Sequence, residues 1–216
     1  VLDYLDDLII FSADADSHLS HLDTVLTLLG KHGVTLKAQK FHLFTNEVKY
    51  LGHVVRPGCL SVNEKNIKAI KKARFPQTQT QLRSFLGMCN IYGRFTVDFA
   101  KSAKPLNNLN SVKLPKRLSP PTPEEQNEFH KLREQLCHPP ILAIPRKEGK
   151  NIIDVDARYD QLESCLLQQQ PDGKYLPVGN FSKGLLPAEK NYTVNEIEGL
   201  GVVWAVGLLR PNIEGT

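Results

Sequence analysis

Hydrophobic and polar positions follow two periods along the chain, one near two residues and one near 3.6. The opening "YLDDLIIF" (Tyr4 to Phe11) reads as a buried strand whose apolar residues flank two adjacent aspartates, Asp6 and Asp7. "SHLSHLDTVLTLLGKHG" then places Leu19, Leu22, Val25, Leu26 and Leu29 at helical spacing, with Gly33 positioned to end the helix. "VTLKAQKFHLF" and "EVKYLGHVV" follow as short extended segments, broken at Asn46 and closed by the turn residues Pro57 and Gly58. In "NEKNIKAIKKAR", Ile67 and Ile70 point one way and Lys65, Lys68 and Lys72 the other, a helix that ends by Pro76.

"TQTQLRSFLGMCNIYGRF" opens on the capping pattern Thr78 to Gln81, which predicts a new helix. Lys101 to Pro123 is rich in Pro, Asn, Ser and Lys without an apolar period and reads as a linker. "TPEEQNEFHKLREQL" carries a full helix start, with Thr122 as N-cap, Pro123 at the first helical position and Glu125 closing the box. Its apolar residues Phe129, Leu132 and Leu136 recur on one face. From Asn151 the period shortens: "NIIDVDA" and "LESCLLQQQ" read as strands, "PDG" (Pro171, Asp172, Gly173) turns the chain into "KYLPVGNFS", and "VNEIEGLGVVWAVGLL" is a helix. The expected fold class is therefore α+β, closing on a strand, hairpin and helix unit, with no internal repeat.

The 216 residues are 41% hydrophobic and 23% charged, an ordinary globular composition with room for one large domain or two smaller ones. No apolar run approaches the roughly 20 residues that span a bilayer, so no membrane partner is expected. Val1 in place of Met fits a segment of something longer. Cys59, Cys89, Cys137 and Cys165 lie far apart without paired spacing, which argues against a zinc site or a disulfide framework and for reduced, intracellular thiols. The net charge is only +4, yet the Lys65, Lys68 and Lys72 stripe concentrates part of it. Such a stripe suits a helix facing phosphate, or equally a solvated surface helix.

Neighbouring strand residues point to opposite faces, so Asp6 and Asp7 can serve one site only where the strand turns, at a hairpin tip. The expected partner of that hairpin is the following helix, packed beneath it. Adjacent carboxylates repel unless a cation neutralises them, and hard oxygen ligands of this kind suit Mg²⁺. Taken alone, the pair also reads as a polar turn between strands.

The surroundings extend the argument. "YLDDLIIFS", the helix with "HLSHL", "VTLKAQKFHLF" and "VKYLGHVV" resemble, in order, the palm of reverse transcriptases of gypsy-type LTR retrotransposons. "LRSFLGMCNIYGRF" is similar to that family's thumb helix, and "KPL" and "CHPPILAIP" to its connection region. "VDAR", "NFSKGLLPAEKNYTVNEIEGLGVVWAV" and "LRPNIEG" resemble the first half of its RNase H domain. The resemblance implies the C-terminal part of the palm with its primer grip over residues 1–58, thumb and linker over 59–118, a connection helix and segment over 119–150, and the N-terminal part of an RNase H-like α/β domain over 151–216.

It also implies roles. Asp6 is a catalytic metal ligand with Asp7 its acidic neighbour, and Tyr4 lies under the primer end. Lys40 matches a lysine that can act as general acid near the leaving pyrophosphate, although an ordinary surface lysine is the safer reading. Leu51, Gly52 and His53 match the primer-grip turn, where glycine permits close backbone approach. Gly87 lets the thumb helix near the minor groove, with Arg83 and Asn90 beside it; tight helix packing is the other reading of Gly87. In the last part the family pattern selects Asp156 and Glu198 as catalytic metal ligands. Asp154 and Asp156 share a strand face, whereas Glu196 and Glu198 are about 200° apart on a helix, so only one of that pair can face Asp156. Implied cofactors are Mg²⁺, with Mn²⁺ as the alternative. Implied partners are RNA template, DNA primer, RNA–DNA hybrid, dNTP in the full-length parent and the rest of the Pol polyprotein. The implied location is intracellular, in a cytoplasmic virus-like particle or the nucleus.

The chain departs from the family in places. Ile91 and Gly93 replace an aromatic residue and an arginine, Arg158 replaces a serine, and Gln161 and Glu163 stand where turn glycines are usual. The polymerase aspartate expected upstream and the RNase H aspartates expected downstream are not among these residues. Two readings follow: a segment of a two-metal polymerase and RNase H, with the isolated chain inactive, or a retrotransposon relic that binds nucleic acid without chemistry.

Overall fold

The computed structural model describes residues 1–111 and 115–214. Residues 112–114 of the expected linker, and Gly215 and Thr216 at the end of the RNase H segment, lie outside the described residues.

The first strands, β1 (Leu2–Tyr4) and β2 (Asp7–Ile9), form an antiparallel hairpin with Tyr4 opposite Asp7. Helix α1 (Ala15–Lys31) follows, its N-terminus closed by the Asp14 carboxylate, which accepts from Ser17 N–H at 2.8 Å. None of its residues is buried, and Leu19 and Leu26 face solvent. The expectation that α1 packs beneath the hairpin is corrected: two strands of three residues present too little surface to cover a 17-residue helix. The segment "VTLKAQKFHLF" is corrected as well. It contains one 3₁₀ turn (Ala38–Lys40) in place of a strand, because its amides bond locally, Lys40 N–H to Lys37 O at 2.9 Å and Phe41 N–H to Ala38 O at 3.1 Å.

A four-stranded antiparallel sheet comes next, in the order β3 (Val48–Tyr50), β4 (His53–Arg56), β5 (Cys59–Val62), β6 (Leu142–Ala143). Leu51 and Gly52 make the β3–β4 turn, with φ of 47° and 81°. The expected boundary between residues 58 and 59 falls inside the β4–β5 hairpin, at Gly58. Helices α2 (Glu64–Lys72), α3 (Gln79–Ile91), α4 (Phe99–Asn108) and α5 (Pro123–Cys137) share one core with this sheet. The Phe129 ring sits at its centre, 4.8 Å from that of Phe85 and 5.4 Å from that of Phe75. Each such fully buried side chain contributes about 1.5–3 kcal/mol of transfer free energy.

Helix α4 replaces the first part of the expected linker. Ser102, Ala103 and Leu106 are buried, and their packing outweighs Pro105, which sits inside the helix and lacks an N–H.

The last unit is the antiparallel sheet β7 (Asn151–Arg158), β8 (Gln161–Gln169), β9 (Tyr175–Gly184), followed by α6 (Val194–Ile213). Ile153, Val155 and Ala157 alternate with exposed Ile152, Asp154, Asp156 and Arg158. The inward set meets α6 at Gly201, where an added Cβ would lie 3.1 Å from Val155 Cγ1 and 3.3 Å from Ala157 Cβ. The opposite face receives the start of α4: Ala100 N–H donates to Ser182 Oγ at 2.8 Å. All four cysteines are free, and among the described residues no helix is long and apolar enough to cross a membrane.

Candidate nucleic-acid and metal sites

Asp6 occupies the second position of the two-residue β1–β2 turn and Asp7 opens β2, so the pair does sit at a hairpin tip. Leu5 before them takes φ of 50°, a strained value for a branched side chain, and is 90% exposed. Both carboxylates and Tyr4 face solvent. Lys40 ends the 3₁₀ turn, also exposed.

The amphipathic reading of α2 holds. Ile70 is fully buried while Lys65, Lys68 and Lys72 are exposed; Lys68 lies 3.8 Å from Glu64, a contact that screening at such exposure makes weak. On α3, Leu82, Phe85, Leu86 and Cys89 face the core and Arg83, Gly87 and Asn90 share the solvent face. An added Cβ at Gly87 would meet nothing within 4 Å, which excludes tight helix packing as the reason for that glycine. Arg83 is held by Asn110 Oδ1 at 2.8 Å and Gln79 Oε1 at 3.1 Å.

In the β3–β4 turn Leu51 is exposed, whereas the His53 ring turns inward, 5.8 Å from the Phe95 ring and nearly parallel to it. His53 Nδ1–H donates to Leu51 O at 2.9 Å, and Nε2 is buried without a partner. Burial is the main cause that lowers the pKa of this imidazole from its ordinary value, against the bond to Leu51 O and with help from the Arg94 charge.

In the last unit Asp154 and Asp156 share a strand face as expected, and Glu196 is occupied elsewhere: it closes the N-terminus of α6 by accepting from Thr193 N–H at 2.8 Å. Asp156 Oδ2 is 2.7 Å from Arg158 Nη2, so the residue that replaces the family's serine pairs with the aspartate at the half-exposed sheet surface. Alternation along β7 turns Asp156 away from the face that meets α6, while Glu198 lies exposed on α6. Asp156 and Glu198, expected to approach one another, can therefore meet only round the open edge of β7. Among the described residues no group of three or more His, Cys, Asp or Glu side chains gathers to hold a metal.

Two arrangements escaped the sequence reading. Asp98, in the left-handed region at φ of 57° before α4, accepts from Gln161 Nε2 at 2.9 Å, and the same nitrogen donates to Glu163 Oε1 at 2.6 Å. Gln161 and Glu163, the residues in place of turn glycines, thus make the seam between α4 and β8. Asn66 and Tyr92 converge on the Gly52 carbonyl. Neither carries a local pattern, because the partners are 63 and 40 positions apart.

The family model of the reverse transcriptase (RNA-dependent DNA polymerase) matches residues 1–55, and that of the RNase H-like domain found in reverse transcriptase matches residues 122–216. The retrovirus-related Pol polyprotein from transposon opus of Drosophila melanogaster is 31% identical over 220 residues, covering 98% of this chain and 22% of that polyprotein. The corresponding polyprotein from transposon gypsy of the same organism is 32% identical over 222 residues, covering 99% and 21%. The chain thus spans about a fifth of the length of these relatives. Among solved structures, a foamy viral protease-reverse transcriptase in complex with RNA/DNA hybrid superposes with a TM-score of 0.81 at 21% identity, over 95% of this chain and 28% of that one. That likeness shows the fold: mixed α+β, as read from the pattern. Shared sequence along nearly its whole length places the chain in the family of retrotransposon Pol polyproteins, with reverse transcriptase and RNase H-like regions in that order.

Proposed function

We propose that these residues serve RNA-directed DNA synthesis within a longer Pol polyprotein, by holding template and primer, and that the 216-residue chain alone binds nucleic acid without turnover. The observation that carries the reading is the open face of α3, where Arg83, Gly87 and Asn90 stand clear of the core with no side chain over Gly87. A duplex backbone can approach such a face closely. The exposed lysines of α2 add phosphate contacts that need no metal. The partners are RNA template, DNA primer and their hybrid, the ligand class in the foamy viral complex.

The exposed carboxylates of Asp6 and Asp7 fit a hard divalent cation, Mg²⁺ or Mn²⁺, provided that other oxygens complete its shell. When bound there, the ion would favour attack of a primer 3′-hydroxyl on a dNTP α-phosphate. The RNase H residues do not fit: Asp156 faces away from the α6 side of the sheet that carries Glu198, and among the described residues no group of three or more His, Cys, Asp or Glu side chains gathers with either. We therefore derive no hydrolytic step for them. The cellular setting we propose is a cytoplasmic virus-like particle or the nucleus, where four free thiols stay reduced.

The test measures anisotropy of a labelled RNA–DNA hybrid over a salt series, and primer extension with Mg²⁺ or Mn²⁺. Expected are affinity that falls linearly in log–log form with salt and no extension. Extension that Asp6→Asn abolishes would overturn the second half of the proposal; absence of binding at low salt would overturn the first.

A further inference from the structure

The β3–β4 turn is anchored from below by two helices. The Tyr92 hydroxyl, at the C-terminus of α3, donates to the Gly52 carbonyl at 3.0 Å. Asn66 Nδ2, on α2, lies 3.3 Å from the same carbonyl and donates to the Tyr92 oxygen at 2.5 Å. The Asn63 amide completes the set at 3.2 Å. Tyr92 is only 2% exposed, so its hydroxyl has little water to turn to. The His53 ring meets that of Tyr92 edge-on at 5.5 Å and stacks on Phe95.

This arrangement explains Gly52 twice. Its φ of 81° disfavours any side chain, and an added Cβ would lie 2.8 Å from the Tyr92 oxygen. Leu51, also at positive φ, pays the strain cost without glycine's freedom. A turn of this shape persists only where its surroundings over-determine it, and three donors on one carbonyl do so.

We propose that Tyr92 and Asn66 are positioning residues that fix the Leu51–His53 turn to the thumb-like helices, so that this turn and the open face of α3 present one rigid surface to a primer end. The inference rests on the reading that the turn touches the primer strand. The clamp reaches that strand only through the turn. Removing the Tyr92 hydroxyl therefore alters how a 3′ end is recognised more than it alters duplex binding in general.

The experiment uses the full chain and the variants Tyr92→Phe and Asn66→Ala, with the mild core variant Ile70→Val as a stability control. Hydrogen exchange is followed for the β3–β4 turn without nucleic acid. Affinity is measured for a hybrid with a recessed primer 3′ end and for the same hybrid made blunt. The expected result is faster exchange in the turn, and an affinity ratio between the two duplexes that falls about fivefold in Tyr92→Phe, the worth of one hydrogen bond. Ile70→Val leaves that ratio alone. Unchanged turn exchange in both clamp variants overturns the clamp, whether or not the chain binds nucleic acid. An unchanged ratio with binding intact overturns the positioning role and spares the proposed function. If the wild type binds neither duplex, the nucleic-acid reading falls and the positioning role with it.

Discussion

The carboxyls of Asp98 and Glu163 share one donor across the seam between β8 and the start of α4: Gln161 Nε2 donates to Asp98 Oδ1 at 2.9 Å and to Glu163 Oε1 at 2.6 Å. Burial, then the neighbouring Asp98 carboxyl, pushes Glu163 up to about 7, while its interactions with Glu163 and Gln161 hold Asp98 below the ordinary carboxylate value. Arg158 and Asp156 from β7 and Lys101 from α4 also act on the pair.

A raised acid favours the fold while protonated. The Glu163 contribution is full below the unfolded value near 4.5 and is lost as pH rises through about 7. The lowered Asp98 acts in a separate window, losing its contribution only as pH falls through its depressed value. Glu163→Gln keeps an N–H donor toward Asp98 and does not titrate. Its melting temperature should therefore gain on the wild type between pH 5 and pH 8. Parallel melting curves across that range would count against the raised Glu163 value.

Gly201 lets α6 lie close against β7, with only 3.1 Å available to a Cβ beside Val155. Gly201→Leu should destabilise the chain by about 1–3 kcal/mol through overpacking, and Gly201→Ala by less. Urea unfolding of the two variants measures the order; a leucine variant as stable as wild type would show that α6 can lift freely.

Cys89 is fully buried, and burial pushes its thiol up to about 12. Iodoacetamide at pH 8 should modify partly exposed Cys59 and Cys137 first and reach Cys89 only in denaturant. Mass mapping of the adducts checks the order. Early labelling of Cys89 would mean that the helical core opens readily.

Thr122 and Glu125 exchange both bonds of a capping box, at 3.2 and 2.8 Å. Thr122→Ala should cost about 1 kcal/mol, read as a shift in the urea midpoint at constant slope.

That box was legible because its partners are three residues apart, as was the apolar face of α5. The start at Thr78 was half right: Thr78 accepts from Gln81 N–H, but the Gln81 side chain accepts from Gln77 N–H at 2.8 Å instead of closing on Thr78. Helix α4 was missed because Pro105 and the polar residues around it mask a stripe that only tertiary packing reveals. The hairpin placing Asp6 and Asp7 and the β7–β8–β9 sheet followed from period, whereas the Thr193–Glu196 cap, also at three-residue spacing, was within reach of the same rule and went unread. The pairing of Asp156 with Arg158, two residues on and so on the same strand face, was within reach of the strand period. The Asp98–Gln161 bond and the Tyr92–Gly52 clamp were not, since each joins residues that only the folded chain brings together.

The unburied α1 has a consequence for how the molecule comes apart. No residue from 1 to 44 is buried, whereas the rest of the chain surrounds Phe129, Leu132 and Leu162 with close-packed neighbours. Cooperativity passes only through such packing, so the segment with the aspartate pair constitutes its own foldon with a small opening free energy. Its amides should exchange through local fluctuations while those of α3 and α5 wait for global unfolding. A protease will trim the hairpin and α1 before it enters the core, and the molecule that survives will have lost Asp6 and Asp7 and kept the open face of α3.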